Sequence, residues 1–412
     1  MAINLPATGR PWAELEAEMT AMREADLDWK HGRHGAYVWY ANDDLEHVLR
    51  ESFGMFLVEN GLGVRAFPSI GRMENEVLSM VRNLLHGDDE AAGIFTSGGT
   101  ESIFQAMLAM REWARKEKPT SHPTVVAPYS AHPALSKAAH IQGFEVHRVP
   151  VALDYRADVA AIEAAITPDT IGIYASAPTY SLGMVDPIEE LGAIAERHGL
   201  WLHVDACVGG ILGPFVREAG YDVPVFDFRV PGVTSISADL HKSGFAAKPA
   251  STVTFRTRAF REGARFTFDD WPSGIYTGLT FTGTRPGGAI AAAWAGMNFL
   301  GHEGYLDLAR ASMRAKEKTI AGLRAIPGCV IHGESQLYAF AYAFVGVDMG
   351  AVAAAMAKRG WVCGRTTSPE GIHVMATPIH EPYAGEYSAA VGECVELVRS
   401  GTSTEVKAAA YN

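Results

Sequence analysis

The sequence predicts an α/β protein, in which a mostly parallel sheet lies between helices in a large domain and a smaller α+β domain follows. Its 412 residues exceed what one compact hydrophobic core usually holds, so we expect more than one domain. Between residues 93 and 255, short apolar runs alternate with helical stretches, a rhythm typical of parallel sheets covered on both faces. Beyond residue 300 that rhythm changes. We therefore predict a helical arm over 1–60, a large domain over 61–300 and a small C-terminal domain over 301–412.

Hydrophobic periodicity predicts the elements in order along the chain. Apolar residues recur at helical spacing twice in the arm, which predicts two packing helices, one with Trp12, Leu15, Met19 and Met22 and one with Leu45, Val48 and Leu49. The candidate strands of the sheet are 94–96, 124–127, 145–149, 171–175, 201–204, 234–237 and 252–255. A long apolar helix near 289–300 then leads to an alternating, strand-like run over 336–345, a helix over 352–357 and a strand over 372–376.

Composition and charge exclude several classes of function. Lys and Arg number 35 against 47 Asp and Glu, and the net charge of −12 has the wrong sign for binding phosphate backbones or an anionic membrane surface. We therefore expect no nucleic-acid partner. The N-terminus lacks a basic region followed by an apolar stretch, and no apolar run is long enough to span a bilayer, so we expect no membrane anchor. The four cysteines form no CxxC pair, which fits a reduced, cytoplasmic setting.

The segment TSGGTES, which starts at Thr96, joins a predicted strand to a predicted helix. Its two glycines, Gly98 and Gly99, let the backbone approach an anion closely, and Thr100 can add a hydroxyl. The first-turn amides lie at the positive end of the helix dipole. The segment is therefore either a phosphate cradle or an ordinary capped turn. The sequence contains no GxxxxGK[ST] loop of the kind that binds nucleoside triphosphates.

Ionisable residues follow two further strands, and a histidine precedes a helical stretch. Asp205 ends the strand that begins at Trp201, where open parallel sheets bind ligands. It can hold a protonated pyridine nitrogen, or it is a helix cap or turn residue. Lys242 ends the segment SISADLHK, which starts at Ser235. If Lys242 is desolvated, its pKa falls and its neutral amine can form a Schiff base. Otherwise Lys242 extends to the surface or forms an ion pair there. His132 can stack on a ring, or it is a capping or packing residue of its helical stretch.

One cofactor accounts for all of these features. Pyridoxal 5'-phosphate needs an anion cradle, a ring that stacks on its face, a carboxylate that keeps its nitrogen protonated and a lysine that holds it covalently. The segment TSGGTES, His132, Asp205 and Lys242 supply these four parts in chain order. The sequence therefore predicts a pyridoxal phosphate site in the large domain, and no metal site.

The same motifs resemble those of the sphingosine-1-phosphate lyase family, within the fold type I pyridoxal phosphate enzymes that include glutamate and aromatic amino acid decarboxylases. The likeness runs from about residue 45 to residue 398. Its main motifs are TSGGTES from Thr96, VAPYSAH from Val126, HVDACVGG from His203, FDFRVPGVTSISADLHK from Phe226 and GTRPGG from Gly283. Several of them are typical of the lyase branch. The resemblance implies a homodimer whose active sites are shared at the subunit interface.

The resemblance also implies a role for each matching residue. Lys242 would hold the cofactor as a Schiff base, Asp205 would pair with the pyridine nitrogen, and His132 would stack on the ring. The residues expected around the cofactor are Ser97, Gly98, Gly99, Thr100, His132, Asp205, Ser237, His241 and Lys242, with Gly283 and Thr284 reaching the phosphate from the neighbouring chain. Substrate contacts are expected from Asn60, Lys248 and Tyr276, with Lys248 at the substrate's phosphate.

Departures from the lyase pattern cluster on the substrate side. Gly63 stands where the family has a histidine, and Ser243 and Phe245 stand where it has tyrosines. We expect first a lyase that cleaves the Cα–Cβ bond of a phosphorylated amino alcohol by a retro-aldol reaction, giving an aldehyde and phosphoethanolamine. A second hypothesis is an L-amino acid decarboxylase, in which Arg65 could hold a second carboxylate. A third is a protein that binds pyridoxal phosphate without turnover.

Overall fold

The computed structural model describes residues 4–401, and a seven-stranded sheet forms the centre of its large domain. The strands are Ala92–Thr96 (β1), Thr124–Pro128 (β2), Glu145–Val149 (β3), Thr170–Ser176 (β4), Trp201–Asp205 (β5), Val233–Ala238 (β6) and Ser251–Phe255 (β7). Their order across the sheet is β1-β7-β6-β5-β4-β2-β3. Strands β2 to β6 pair in parallel, and β7 runs antiparallel to both its neighbours. The predicted strands and the mostly parallel sheet are confirmed.

Helices cover the sheet and connect its strands. They are Trp12–Arg23 (α1), Asp43–Met55 (α2), Pro68–Leu84 (α3), Gly99–Glu117 (α4), Ala134–Gln142 (α5), Val159–Ala164 (α6), Ile188–His198 (α7), Gly213–Glu218 (α8), Arg258–Glu262 (α9), Gly287–Arg324 (α10), Met349–Lys358 (α11) and Ala384–Arg399 (α12). Short 3-10 helices span Trp29–His31 and Pro378–Tyr383. None of these described helices is long and apolar enough to cross a membrane.

The central strands are buried on both faces, which explains their unbroken apolar runs. Every residue of β4, β5, β6 and β7 is buried. A strand buried on both faces needs side chains that pack on each side, so β-branched and apolar residues replace the alternation of a half-exposed strand. Strand β3 lies at the edge of the sheet and alternates in exposure. The middle of the sheet is therefore a rigid platform for whatever follows its strand ends.

A second, antiparallel sheet forms the predicted small domain. After a surface hairpin of Phe266–Phe268 (β8) and Tyr276–Gly278 (β9), its strands are Cys329–Ile331 (β10), Ala339–Phe344 (β11), Gly364–Thr367 (β12) and Glu370–Met375 (β13). They lie in the order β10-β11-β13-β12. Helix α10 runs across residue 300 and breaks at Gly301, whose φ of 56° suits glycine. The exact division into three domains stays a prediction, and its ends at 1–3 and 402–412 lie outside the described residues.

The two arm helices differ in how they pack. Helix α2 buries Leu45, which is 1% exposed, as predicted. The prediction that α1 is also a packing helix is wrong for a single chain, because none of its residues is buried and Trp12 and Met22 are each 63% exposed. Periodic apolar spacing predicts that a helix forms, but it does not tell what covers the apolar side chains.

Candidate active site

The strand ends bring the predicted site residues to one edge of the large sheet. Strands β1, β2, β5 and β6 point the same way, so the segments that follow them meet beyond their carboxyl ends. A cavity of about 370 Å³ lies there. The predicted residues that line it are Ser97, Gly98, Gly99, Thr100, His132, Asp205, His241 and Lys242.

The turn between β1 and α4 forms an open cradle at the start of a long helix. Gly98 is the N-cap of α4, and no side chain caps the helix there. The Ser97 amide donates to the Glu101 carboxylate at 2.7 Å, which holds the turn in place. A Cβ atom on Gly99 would lie 2.7 Å from Cys207 Sγ, closer than real side chains approach. The turn therefore needs glycine, and the first amides of the helix remain available to an anion.

Asp205 is a buried carboxylate that stays ionised. Its Oδ2 accepts a hydrogen bond from the Tyr174 hydroxyl at 2.5 Å, and its Oδ1 accepts from the Cys207 amide at 3.1 Å and the Ser237 hydroxyl at 3.2 Å. Burial alone would raise the pKa of Asp205, but His132 and these donors lower it below its ordinary value. An ionised carboxylate at a cavity wall can hold a protonated ring nitrogen. Ser237 itself lies beneath Asp205 rather than in the cavity lining.

His132 caps its helix and also lines the cavity. Its Nδ1 accepts from the Ala134 amide at 3.2 Å, so the ring carries its proton on Nε2 when neutral. Burial lowers the pKa of His132, although the charge of Asp205 acts in the opposite direction. The Tyr180 ring meets it edge-on with centroids 6.1 Å apart. The capping and stacking interpretations of His132 are thus compatible.

Lys242 reaches the cavity beside the carboxylate of Asp239, which is not among the predicted site residues. Its Nζ lies 2.8 Å from Asp239 Oδ2, and about a quarter of its side chain is exposed. Burial lowers the pKa of Lys242, but Asp239, with Cys207 and Asp205, outweighs burial and raises it. The expected fall in the pKa of Lys242 is therefore wrong for the free amine, because a carboxylate sits within ion-pair distance.

A second cavity adjoins the first and is lined by Lys248. This cavity of about 280 Å³ shares Tyr180, His241 and Lys242 with the first and adds Lys248 and the ring of Trp39. Burial, then the charge of Lys242, lowers the pKa of Lys248. The two lysines therefore face connected spaces, one suited to the cofactor and one to a substrate group.

The remaining predicted residues lie outside the cavity of their own chain. They are Asn60, Tyr276, Gly283, Thr284 and Arg65. Asn60 Oδ1 accepts from the amides of Leu62 and Gly63, so it caps its own turn. Tyr276 is 39% exposed. A Cβ on Gly283 would lie 4.0 Å from the Tyr276 hydroxyl, so the hairpin β8–β9 and the following loop meet on the surface.

Sequence reasoning missed three residues that support the site. Glu101 and Asp239 both stand inside the predicted motifs, so their spacing from Ser97 and Lys242 is a signal in the sequence. Tyr174 gave no such signal, because it lies on β4 and meets Asp205 only through strand pairing.

The chain's own residues fit pyridoxal 5'-phosphate. The cradle at Gly99 is shaped for an anion, the Asp205 carboxylate is ionised and faces the cavity, and Lys242 lines the same cavity. Each matches one chemical group of the cofactor: the phosphate, the ring nitrogen and the aldehyde. The fold and these residues together define a fold type I pyridoxal phosphate enzyme.

Comparison with known proteins agrees with this class and narrows it. The family model for the pyridoxal-dependent decarboxylase conserved domain matches residues 26–327. The sphingosine-1-phosphate lyase of Dictyostelium discoideum is 37% identical over 376 residues, which cover 91% of this chain and 70% of that protein. The solved sphingosine-1-phosphate lyase of Burkholderia pseudomallei K96243 is also 37% identical, with a TM-score of 0.93, and the match covers 97% of this chain and 94% of that one. A probable L-aspartate decarboxylase of Pyrococcus furiosus is 33% identical over 360 residues, 87% of this chain and 94% of that protein.

The chain belongs to the sphingosine-1-phosphate lyase family of pyridoxal-dependent carbon–carbon lyases, and its cofactor is pyridoxal 5'-phosphate. The predicted fold class, cofactor and family are confirmed. The roles of individual residues stay predictions.

Proposed function

We propose that the protein cleaves the Cα–Cβ bond of a phosphorylated amino alcohol to give an aldehyde and phosphoethanolamine. The observation that carries this proposal is the 37% identity to sphingosine-1-phosphate lyases over almost the whole chain, at a TM-score of 0.93 for the solved one. The position of Lys248 supports it, because a cation in the adjoining cavity suits a substrate phosphate.

When bound, pyridoxal phosphate withdraws electrons from bonds at the substrate's α carbon. The first turn of α4, with Gly99 and Thr100, binds its phosphate. Asp205 keeps a proton on the ring nitrogen by remaining ionised, and His132 fixes the plane of the ring. Lys242 holds the cofactor and, once its amine is free, carries a proton.

Substrate orientation decides which bond at the α carbon breaks. The cofactor would act on the bond that the protein presents to it, so the chain must hold the substrate at a point away from the α carbon. Lys248 supplies that point by binding the phosphate of the substrate. Fixing this end of the substrate would limit the orientations that its Cα–Cβ bond can take.

Decarboxylation of an L-amino acid is the second candidate. It is favoured by the 33% identity to a probable L-aspartate decarboxylase and by the substrate-side departures. Phe245 packs edge-on against Trp39 with centroids 5.8 Å apart, so carbon atoms stand where the lyase pattern has a tyrosine hydroxyl. Loss of that hydroxyl would matter less to a decarboxylase than to an enzyme that must activate a substrate hydroxyl.

Product analysis separates the two candidates. The purified enzyme is mixed in parallel with phosphorylated long-chain amino alcohols and with L-amino acids, and aldehyde and carbon dioxide are both measured. The proposal predicts aldehyde from the phosphorylated set. If the enzyme releases carbon dioxide from an amino acid and forms no aldehyde, the lyase proposal is wrong and the decarboxylase is favoured.

We also infer a cytoplasmic homodimer in which Asn60, Tyr276, Gly283 and Thr284 complete the cavity of the neighbouring chain. Their location outside their own cavity supports this, as do the exposed Trp271 and Phe281 beside them. Four free cysteines suit a reducing compartment. Sedimentation tests the dimer. Mixing inactive Lys242→Ala and Thr284→Glu subunits should restore part of the activity if sites are shared, and no recovery would argue against sharing.

A further inference from the structure

We infer that Asp239 is a positioning residue for Lys242: its carboxylate holds the free amine as an ammonium ion directly beneath the phosphate cradle. This role rests on the proposed function of Lys242 as the attachment point of the cofactor. It does not depend on which substrate the enzyme cleaves.

The geometry around Asp239 places it at the junction of cradle and lysine. Asp239 follows the last residue of β6 and is fully buried. Its Oδ2 lies 2.8 Å from Lys242 Nζ and 3.7 Å from His241 Nε2. A Cβ on Gly99 would lie 2.9 Å from the same oxygen, so the carboxylate touches the underside of the cradle.

A line of buried hydroxyls fixes this carboxylate. Ser251 Oγ donates to Asp239 Oδ1 at 2.5 Å. Ser102 Oγ lies 2.8 Å from Ser251 Oγ, and Thr96 Oγ1 lies 2.6 Å from Ser102 Oγ. Because each hydroxyl has one proton, a chain that runs from Thr96 to Asp239 points every proton toward the carboxylate and stabilises its charge. These hydrogen bonds connect the carboxylate to the ends of β1, β6 and β7. They hold its position when the Lys242 side chain moves.

The charged surroundings of Lys242 favour the ammonium ion. The titratable groups that interact electrostatically with it are Asp239, Asp205, Cys207, His132, His241, Lys248 and Tyr338. Burial works against a charged amine, but the carboxylates outweigh burial and raise the pKa of Lys242. A Lys242 amine that is not attached to the cofactor would therefore be held by Asp239 as an ammonium ion, and it would have to lose a proton before it could become attached.

The test uses cofactor-free enzyme and needs no substrate. The rate at which pyridoxal phosphate becomes covalently attached is followed by absorbance from about pH 6 to about pH 10 in wild type and Asp239→Asn. In wild type the rate should rise with pH across this range without a plateau. In the Asn variant the plateau should appear at lower pH, and the rate at neutral pH should rise about tenfold for each unit by which the pKa falls.

Two controls separate charge from structure. Asp239→Glu keeps the charge and should restore the rise with pH. Asp186→Asn makes the same change at another fully buried carboxylate, outside the cavity lining, and should leave the profile unchanged.

An Asp239→Asn profile equal to that of wild type would overturn the role of Asp239. If this variant does not fold, the wild-type profile alone tests the role of Asp239. A plateau of the wild-type attachment rate near neutral pH would also overturn that role. Covalent attachment in Lys242→Ala would instead refute the proposed function of Lys242.

Discussion

Replacing Gly99 with alanine tests whether the turn after β1 is the phosphate cradle. The new Cβ would lie 2.7 Å from Cys207 Sγ and 2.9 Å from Asp239 Oδ2. Both neighbours are buried and held by hydrogen bonds, so the turn has to shift toward the cavity. Overpacking of this kind costs about 1–3 kcal/mol of unfolding free energy. A displaced turn also loses charge-assisted hydrogen bonds to phosphate worth about 1.5–3 kcal/mol each, or about tenfold to about a hundredfold in affinity.

The assay is a titration of cofactor-free enzyme with pyridoxal phosphate, combined with urea unfolding of the same samples. Gly385→Ala is the matched control, because the early part of α12 leaves open space around that position. The control should bind the cofactor as wild type does. If Gly99→Ala also binds with wild-type affinity, the phosphate is held elsewhere and the assignment of the cradle is wrong.

Three other predictions concern the lysines and the buried carboxylate. Lys242→Ala should lose the absorbance band of covalently held cofactor while keeping some cofactor bound through its phosphate, and Lys248→Ala should keep the band; a band that survives in Lys242→Ala would contradict the attachment point. Tyr174→Phe removes the donor to Asp205 Oδ2, so the pKa of Asp205 should rise and kcat should fall about tenfold with the band retained; an unchanged kcat would refute this support. The pKa of Lys248 is lowered, so Lys248 loses its charge at a lower pH than an ordinary lysine, and KM for a phosphorylated substrate should rise there. Lys248→Arg should move that rise in KM to higher pH. Identical pH profiles of KM would exclude Lys248 from phosphate binding.

Much of the large domain could be predicted because its strands are buried on both faces. The run from Trp201 to Val204 carries no acidic side chain inside the sheet, so its first carboxylate, Asp205, marks the strand end. The carboxyl ends of parallel strands share one edge, so this rule predicts that Asp205 and Lys242 lie close together, and both line the cavity.

What the sequence could not provide are contacts that depend on which strands are neighbours. Ser176 pairs with Asp205 across β4 and β5, and Tyr174 lies two residues earlier on the same face. Nothing in the order of residues along the chain brings that hydroxyl to the carboxylate. The predicted direction of the pKa shift of Lys242 is also wrong, because that prediction rests on burial alone and the charge of Asp239 outweighs burial. The exposure of the apolar side chains of α1 also could not be predicted, because their helical spacing does not show whether they are buried.

The most direct measurement of the proposed activity is aldehyde formation from a long-chain amino alcohol with and without its phosphate. The same enzyme sample is assayed with both compounds, and kcat/KM is determined for each in wild type and Lys248→Ala. Aldehyde formed efficiently only from the phosphorylated compound, with that preference lost in the variant, is the expected result. Equal rates for both compounds, or no aldehyde from either, would contradict the proposal that this enzyme is a lyase for phosphorylated amino alcohols.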